Sequence, residues 1–333
     1  MSAAASDYLL PRRDLVFQMI EVLRLEELLR HEKFAEHDRA TFGAVVDTAY
    51  EIAAERYAPY AAVADVEEPR IEDGKVVLPV STGAALTAYG NAGFIAMAFD
   101  RELGGLGMPV LLAQACGAVF ASANAAFQSY SMLTQGAANL IAAFGTDPQR
   151  RRYLGPMLDG RWFGTMCLSE PQAGSSLADI RTAAMPRADG RYDIRGSKMW
   201  ISGGEHELGE NIVHLVLARV PGGPPGVKGI SLFIVPRRRV GEHGEAAEHN
   251  GVSLIGLNHK MGWRGHVNTA LSFGDTSPSI GELVGNLHQG LGYMFQMMNE
   301  ARVAVGLSAV GMGYAGYRYS LAYARTRLQG RPL

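Results

Sequence analysis

Cysteine is scarce in this sequence. The 333 residues hold two, Cys116 and Cys167. They lack the spacing of a disulfide framework, a zinc site or a paired redox motif. A reduced, cytoplasmic compartment is the expectation that follows. An excess of either charge is also missing: 31 Lys and Arg stand against 33 Asp and Glu, a formal net charge of −2. That leaves no electrostatic footprint for nucleic acid. Met1 to Pro11 has neither a cationic start nor an apolar signal core. No window reads as a membrane span, because Gly, Asn and Gln break the Ala-rich runs every few residues. Strand–helix–strand alternation is absent too, which argues against a doubly wound nucleotide fold. What is present is a chain long enough for two or three domains. Its 47% hydrophobic residues against 19% charged suit burial in an oligomer or around a large ligand.

Apolar periodicity predicts helix through about residue 160. The stretches 12–31, 41–58, 80–98, 109–128 and 131–144 each carry it. A break falls at Pro59, with mixed polar sequence through Pro79, and Asp147-Pro148 opens a short further helix with Asp147 as its N-cap. Near Trp162 the pattern changes. WFGTMCLSE, RTAAMPRADGRYDIRGSKMWIS, NIVHLVLARV, KGISLFIVP, GVSLIGL and NTALSFGD read as strands, with Ala188-Asp189-Gly190 as a hairpin turn. From Gly281 the helical period returns without proline until Pro332. The expected fold class is α+β: an N-terminal helical bundle over 1–160, a β-barrel or sandwich over 161–278, and the start of a C-terminal helical bundle over 279–333.

Gly311, Gly313 and Gly316 spell G-x-G-x-x-G, but inside a helical run, so they read as a small-residue helix face and not a dinucleotide loop. Glu205-His206-Glu207, with His243 and His249, suggests a metal on paper. Those loops are polar and Gly-rich, and they read as solvated surface with no metal bound. Two segments carry the chemistry. In TMCLSEPQAGSSLADI a strand ends at Ser169-Glu170-Pro171, and Gly174 with Ser175 then offers backbone N–H groups and a hydroxyl to a phosphate; a plain strand-to-loop turn fits the same residues. In GSKMWISGG, Trp200 and Ser202 are two apart, so on a strand they share a face. One face then offers a flat apolar plate and a hydrogen-bond donor to a planar ring; a core Trp beside a turn Ser fits as well.

Together the two segments resemble the acyl-CoA dehydrogenases. SEPQAGS (Ser169 to Ser175) is similar to the family's T-E-P-x-A-G-S turn, and KMWIS (Lys198 to Ser202) to its second flavin strand. RELGGLGMP, HKMGWRG, MMNEARVAVG and YARTRLQGR follow the family's order across residues 101 to 331. The stretch ISGGEHELGENIVHLVLARVPGGPPGVKGISLFIVP is similar to the large bacterial branch that includes 3-(methylthio)propanoyl-CoA dehydrogenase. Met166 and Ser169 are departures, since an aromatic residue and Thr are commoner there; both keep size or hydroxyl.

The resemblance implies FAD as cofactor. Met166, Leu168 and Ser169 would contact the flavin ring, and Gly174 and Ser175 its pyrophosphate, with Ser175 also near CoA. Trp200 would cover one ring face and Ser202 would bond near N5. Arg327 and Gln329 would reach the FAD of a neighbouring subunit, in a homodimer or dimer of dimers. Arg302 and Asn299 would serve the substrate, an acyl-CoA thioester. The implied reaction is α,β-dehydrogenation to the enoyl-CoA: proton abstraction at Cα by a desolvated carboxylate and hydride transfer from Cβ to flavin N5, with an electron-transfer flavoprotein as acceptor. In a minority of the family the base directly precedes the Arg matching Arg302. That position is Ala301, and Glu300 is about a hundred degrees round the helix. The base is therefore expected beyond Leu333, in sequence this chain does not have. An acyl-CoA oxidase on the same fold and an inactive truncated product stay open as alternatives.

Overall fold

A computed structural model describes residues 5–242 and 244–331; His243 lies outside the described residues. The N-terminal part is helical, with α1 (Arg12–Phe17), α2 (Arg39–Ile52) and α3 (Ala61–Val66) joined by π and 3-10 turns. A small hairpin, β1 (Arg70–Glu72) and β2 (Lys75–Val77), interrupts the helices. Its Asp73-Gly74 turn, with both φ positive, sits in sequence that reads as mixed polar, so it corrects the expectation of helix alone. Then come α4 (Thr82–Asn91), α5 (Val110–Phe144) and α6 (Asp147–Leu158). Helix α6 is capped by Thr146, not Asp147: Thr146 and Gln149 bond reciprocally, a capping box that satisfies two orphan donors.

Helix α5 joins two expected helices into one. By length and composition it could cross a membrane, which corrects the expectation that no segment reaches that standard. In this fold 67% of its most apolar window is buried inside the protein. The chain is not helical at Asn124, with φ −160° and ψ 93°. There Asn124 Oδ1 accepts from Phe127 N–H at 3.2 Å, so the asparagine caps the second half.

The β region contains β3 (Trp162–Cys167), β4 (Ala183–Pro186), β5 (Tyr192–Ser202), β6 (Asn211–Arg219), β7 (Ile230–Pro236), β8 (Arg238–Val240), β9 (Ala246–His249), β10 (Val252–Leu257), β11 (Asn268–Phe273) and β12 (Ser279–Leu283). The main sheet runs β10-β11-β5-β12-β7-β6-β3, and β4 pairs with both β5 and β6. Strand β4 thereby closes β5, β12, β7 and β6 into a small barrel. Strand β5 serves three ladders: Tyr192 to Arg195 pair with β4, Tyr192 to Ile194 also pair with β12, and Gly196 to Ser202 pair with β11. Strand β6 is apolar on both faces. Leu215 and Leu217 join the helical core, while Val216 and Ala218 fill the barrel, which explains a run without polar alternation.

Helix α7 (Gly290–Thr326) packs on α5. Gly311, Gly313 and Gly316 all lie inside it. A Cβ on Gly311 would come 3.2 Å from Ala118 O, whereas Gly313 and Gly316 face open space. Helix α5 also presses against β3, where a Cβ on Gly164 would sit 2.5 Å from that of Ala137. We expect Gly164→Ala to lower stability in a urea melt by about 1–3 kcal/mol through overpacking. Gly174→Ala, with nothing within 4 Å of the added carbon, should stay within about 0.5 kcal/mol of the parent.

Candidate functional site

The two segments singled out above meet through a buried ion pair. Strand β3 delivers the chain to Leu168 and Ser169, and the turn Glu170-Pro171-Gln172-Ala173 closes on itself with Glu170 and Ala173 exchanging backbone bonds of 2.8 and 3.0 Å. Strand β5 runs alongside, and Met199 N–H donates to Ser169 O at 2.9 Å. Beneath this seam the Lys198 ammonium, fully buried, donates at 2.9 Å to both Leu168 O and Glu170 Oε1. The Glu170 carboxylate also accepts from Thr182 Oγ1 at 2.6 Å and from the N–H groups of Arg181 and Thr182 at 2.7 and 3.0 Å. Burial alone would raise this carboxyl. The Lys198 charge and the Thr182 and Arg181 donors outweigh it and hold the group at about 2. Burial pulls the Lys198 ammonium down against the attraction of Glu170.

Beside the pair, β5 carries a bulge. Thr269 faces Ile201 but Leu271 faces Lys198, so Met199 and Trp200 together oppose Ala270. The buried residues Lys198 and Ile201 are three apart instead of two. The simple alternation expected for Trp200 and Ser202 therefore does not hold across this point. Trp200 takes φ 62°, a left-handed conformation that costs a bulky side chain about 1–3 kcal/mol. The residue is 57% exposed. Ser202, past the bulge, is half-buried and accepts from Asn268 Nδ2 at 3.1 Å.

Met166 and Leu168 lie on or just past β3, packed against the helical core. Gly174 and Ser175 are exposed. The loop after them is pinned by the Arg219 guanidinium, which donates to Ala178 O, Ile180 O and Gly226 O at 2.5 to 2.9 Å. On α7, Arg302 donates to Asn299 Oδ1 at 2.6 Å and stands 5.7 Å over the Phe295 ring. Arg327 and Gln329 are exposed just after the end of α7. The ion pair thus joins Leu168, Ser169 and the Trp200 strand, while the α7 residues form separate surface groups.

Sequence reasoning passed over some groups, and set Glu300 aside as the base without giving it a place. Glu170 and Lys198 stood inside the quoted motifs without a role, although Lys198 is the one charged residue in the strand segment Gly196 to Ser202. Glu300 lines a cavity of about 280 Å³ between α4, α5 and α7. It accepts from Asn139 Nδ2 at 3.0 Å and more weakly from Gln296 at 3.5 Å. Burial pushes its carboxyl above the ordinary value against those two amides. The reading of Glu205-His206-Glu207 as solvated surface is corrected as well. His206 is 1% exposed, and burial holds its imidazole down at about 3. Glu205 and Glu207 close on Arg237, which also donates to His206 O at 2.7 Å. His249 is exposed, and among the described residues no three His, Cys, Asp or Glu side chains gather to hold a metal.

The two domain models that match are the acyl-CoA dehydrogenase N-terminal domain over residues 41–161 and the acyl-CoA dehydrogenase middle domain over residues 165–276. The chain belongs to the acyl-CoA dehydrogenase family. It is 38% identical to 3-methylmercaptopropionyl-CoA dehydrogenase of Ruegeria pomeroyi over 98% of this chain and 55% of that protein. It is also 38% identical to a broad-specificity linear acyl-CoA dehydrogenase of Mycobacterium tuberculosis, over 96% of this chain and 53% of that protein. An acyl-CoA dehydrogenase from Bacillus anthracis, solved in complex with FAD, superposes with a TM-score of 0.72 at 22% identity, covering 89% of this chain and 46% of that one. The chain spans about half the length of the curated relatives it matches. These likenesses bear out the acyl-CoA dehydrogenase fold expected from the motifs.

In this family member the ion pair sets an acid-sensitivity test. A carboxyl held at about 2 instead of its ordinary 4.5 contributes stability fully above pH 4.5, and loses it as pH falls toward 2. Glu170→Gln should remove that acid-dependent part of urea-melt stability. Glu170→Gln or Lys198→Met alone should cost about 3–5 kcal/mol at neutral pH, and the pair of substitutions together much less.

Proposed function

We infer that the whole protein is an FAD-dependent acyl-CoA dehydrogenase that converts an acyl-CoA thioester to the enoyl-CoA. The observation that carries this reading is the seam where the Ser169–Ala173 turn and the Trp200 strand are locked by Glu170 and Lys198. The residues present fit a flavin. Trp200 keeps a strained backbone and is exposed, and strain held at an exposed residue suits a ligand-covering role. Gly174 leaves open space for a phosphate. We assign Met166, Leu168, Ser169, Trp200 and Ser202 to the flavin ring, and Gly174 and Ser175 to the pyrophosphate. Arg327 and Gln329 go to the FAD of a neighbouring subunit in a homodimer or dimer of dimers. Bound FAD would supply the hydride acceptor.

Ser175, Asn299 and Arg302 are assigned to the CoA thioester. Arg302 is steadied by Asn299 and Phe295, so it presents its charge from a fixed position. The apolar cavity between α4, α5 and α7 is proposed to take the acyl chain and exclude water from it. Ala301 offers no proton acceptor, and the Glu300 carboxylate is engaged by Asn139; the α-proton acceptor is proposed to be a Glu outside residues 1–333. An electron-transfer flavoprotein is the proposed acceptor of electrons, and the proposed location is cytoplasmic. The proposed layout is 1–160, a β domain from 161 and helices after it, with the second boundary moved from 278 to the end of β12 at Leu283.

The test is spectroscopic. Adding an acyl-CoA under nitrogen should bleach the visible flavin absorbance of the purified whole protein; no bound flavin, or no bleaching, sinks the reading. Peroxide formed in air after bleaching would select an oxidase instead. Trp200→Gly should keep thermal stability within about 1 kcal/mol, since glycine relieves the positive φ, while sharply weakening flavin retention on gel filtration.

A further inference from the structure

The cavity between α4, α5 and α7 is walled mostly by apolar side chains, among them Ile95, Phe99, Met132, Leu133 and Met297. Glu300 also lines it, and no Lys, Arg, His or other acidic residue does. The Glu300 side chain reaches from α7 toward α5, where its Oε2 accepts from Asn139 Nδ2 at 3.0 Å. Its Oε1 is left with Gln296 Nε2 on its own helix at 3.5 Å, the long limit for such a bond. The carboxylate therefore stands in the gap between the two helices, where the cavity lies, and the residue is only partly buried. Two amides compensate poorly for a charge. A carboxylate withdrawn from water is tolerated when a cation and a full set of donors meet it. Glu170 has both, in Lys198 and the donors of Arg181 and Thr182. Glu300 has neither. Burial accordingly pushes its carboxyl above the ordinary value, and no neighbouring cation opposes the rise. Arg302, two residues on, is turned to Asn299 and the Phe295 ring. A cation carried in by a ligand would supply the missing compensation.

We propose that this cavity selects acyl tails ending in a quaternary ammonium group over neutral tails of the same shape, with Glu300 as the specificity-determining counter-charge. The inference rests on the reading that the cavity takes the acyl chain of a CoA thioester. A quaternary ammonium is charged yet sheathed in methyl groups, so it matches both the carboxylate and the apolar wall. The Phe99 ring and the Met132 and Met297 thioethers in that wall are polarisable surfaces that suit a weakly hydrated cation. Attraction between opposite charges is little screened in a partly buried site. A neutral tail of equal size gains none of it.

Calorimetric titration of the flavin-loaded whole protein decides the matter. The probes are matched pairs that differ only in nitrogen against carbon at the branch point. They are 4-(trimethylammonio)butanoyl-CoA with 5,5-dimethylhexanoyl-CoA, 5-(trimethylammonio)pentanoyl-CoA with 6,6-dimethylheptanoyl-CoA, and 6-(trimethylammonio)hexanoyl-CoA with 7,7-dimethyloctanoyl-CoA. At one chain length the cationic member should bind at least about tenfold tighter. In Glu300→Gln, which keeps the side chain's size and removes its charge, the two members of that pair should bind alike. Equal or weaker binding of every cationic member overturns the inference and leaves the proposed function standing. A preference that survives Glu300→Gln overturns the role of Glu300. Binding of neither series overturns the proposed function and the inference with it. The comparison of paired ligands on the unaltered protein stays decisive even where the variant misfolds.

Discussion

The Glu170–Lys198 pair is the constraint around which the β region is arranged. Two opposite charges with almost no solvent contact are tolerable only when nearly every polar atom on both finds a partner. The fold meets that demand from two sides. The turn after β3 supplies Leu168 O and the Gln172 amide, and the segment before β4 supplies the N–H groups of Arg181 and Thr182 and the Thr182 hydroxyl. Satisfying one carboxylate therefore fixes the relative positions of β3, β4 and β5. The exposed turn at Gly174 and the bulge at Trp200 are both anchored to that fixed point.

The helical side solves a different problem. Helices α5 and α7 approach closely where small residues allow it, as at Gly311 against Ala118. They stand apart where Met132, Met297 and the cluster around Glu300 leave a hollow. Close contact at one level and a gap at another follow from residue size along the same two helices. The seam in the β region and the hollow between helices are thus separate constructions. One is held by charge and hydrogen bonds, the other by apolar walls.

Much of this was legible in the sequence where a local pattern decides the structure. The order of helices and strands came from periodicity, and the hairpin between β4 and β5 from Ala188-Asp189-Gly190. The helical setting of Gly311, Gly313 and Gly316 was visible because no strand precedes them. Other features depend on partners distant in the chain. Lys198 and Glu170 are 28 residues apart, so neither segment alone revealed the pairing. The bulge at Trp200 is set by its register with β11, which alternation in β5 cannot disclose. His206 sits in a Gly-rich loop that reads as surface, yet Arg237 and the Tyr130 and Phe163 rings enclose it. Glu300 faces inward because of where α5 lies, not because of its neighbours on α7.

Strand β5 belongs to three ladders; β4 precedes it in the chain, but its other two partners come later and are distant. Its end at Ser202 pairs with Asn268, and its start pairs with Ser279 to Gly281. A ribosome that has just released Ser202 has about 70 residues left to make before those edges can close, several seconds at ~5–20 residues per second. Until then the nascent strand offers unpaired amides along much of its length, the kind of template on which neighbouring chains associate. Every round of translation repeats that exposure.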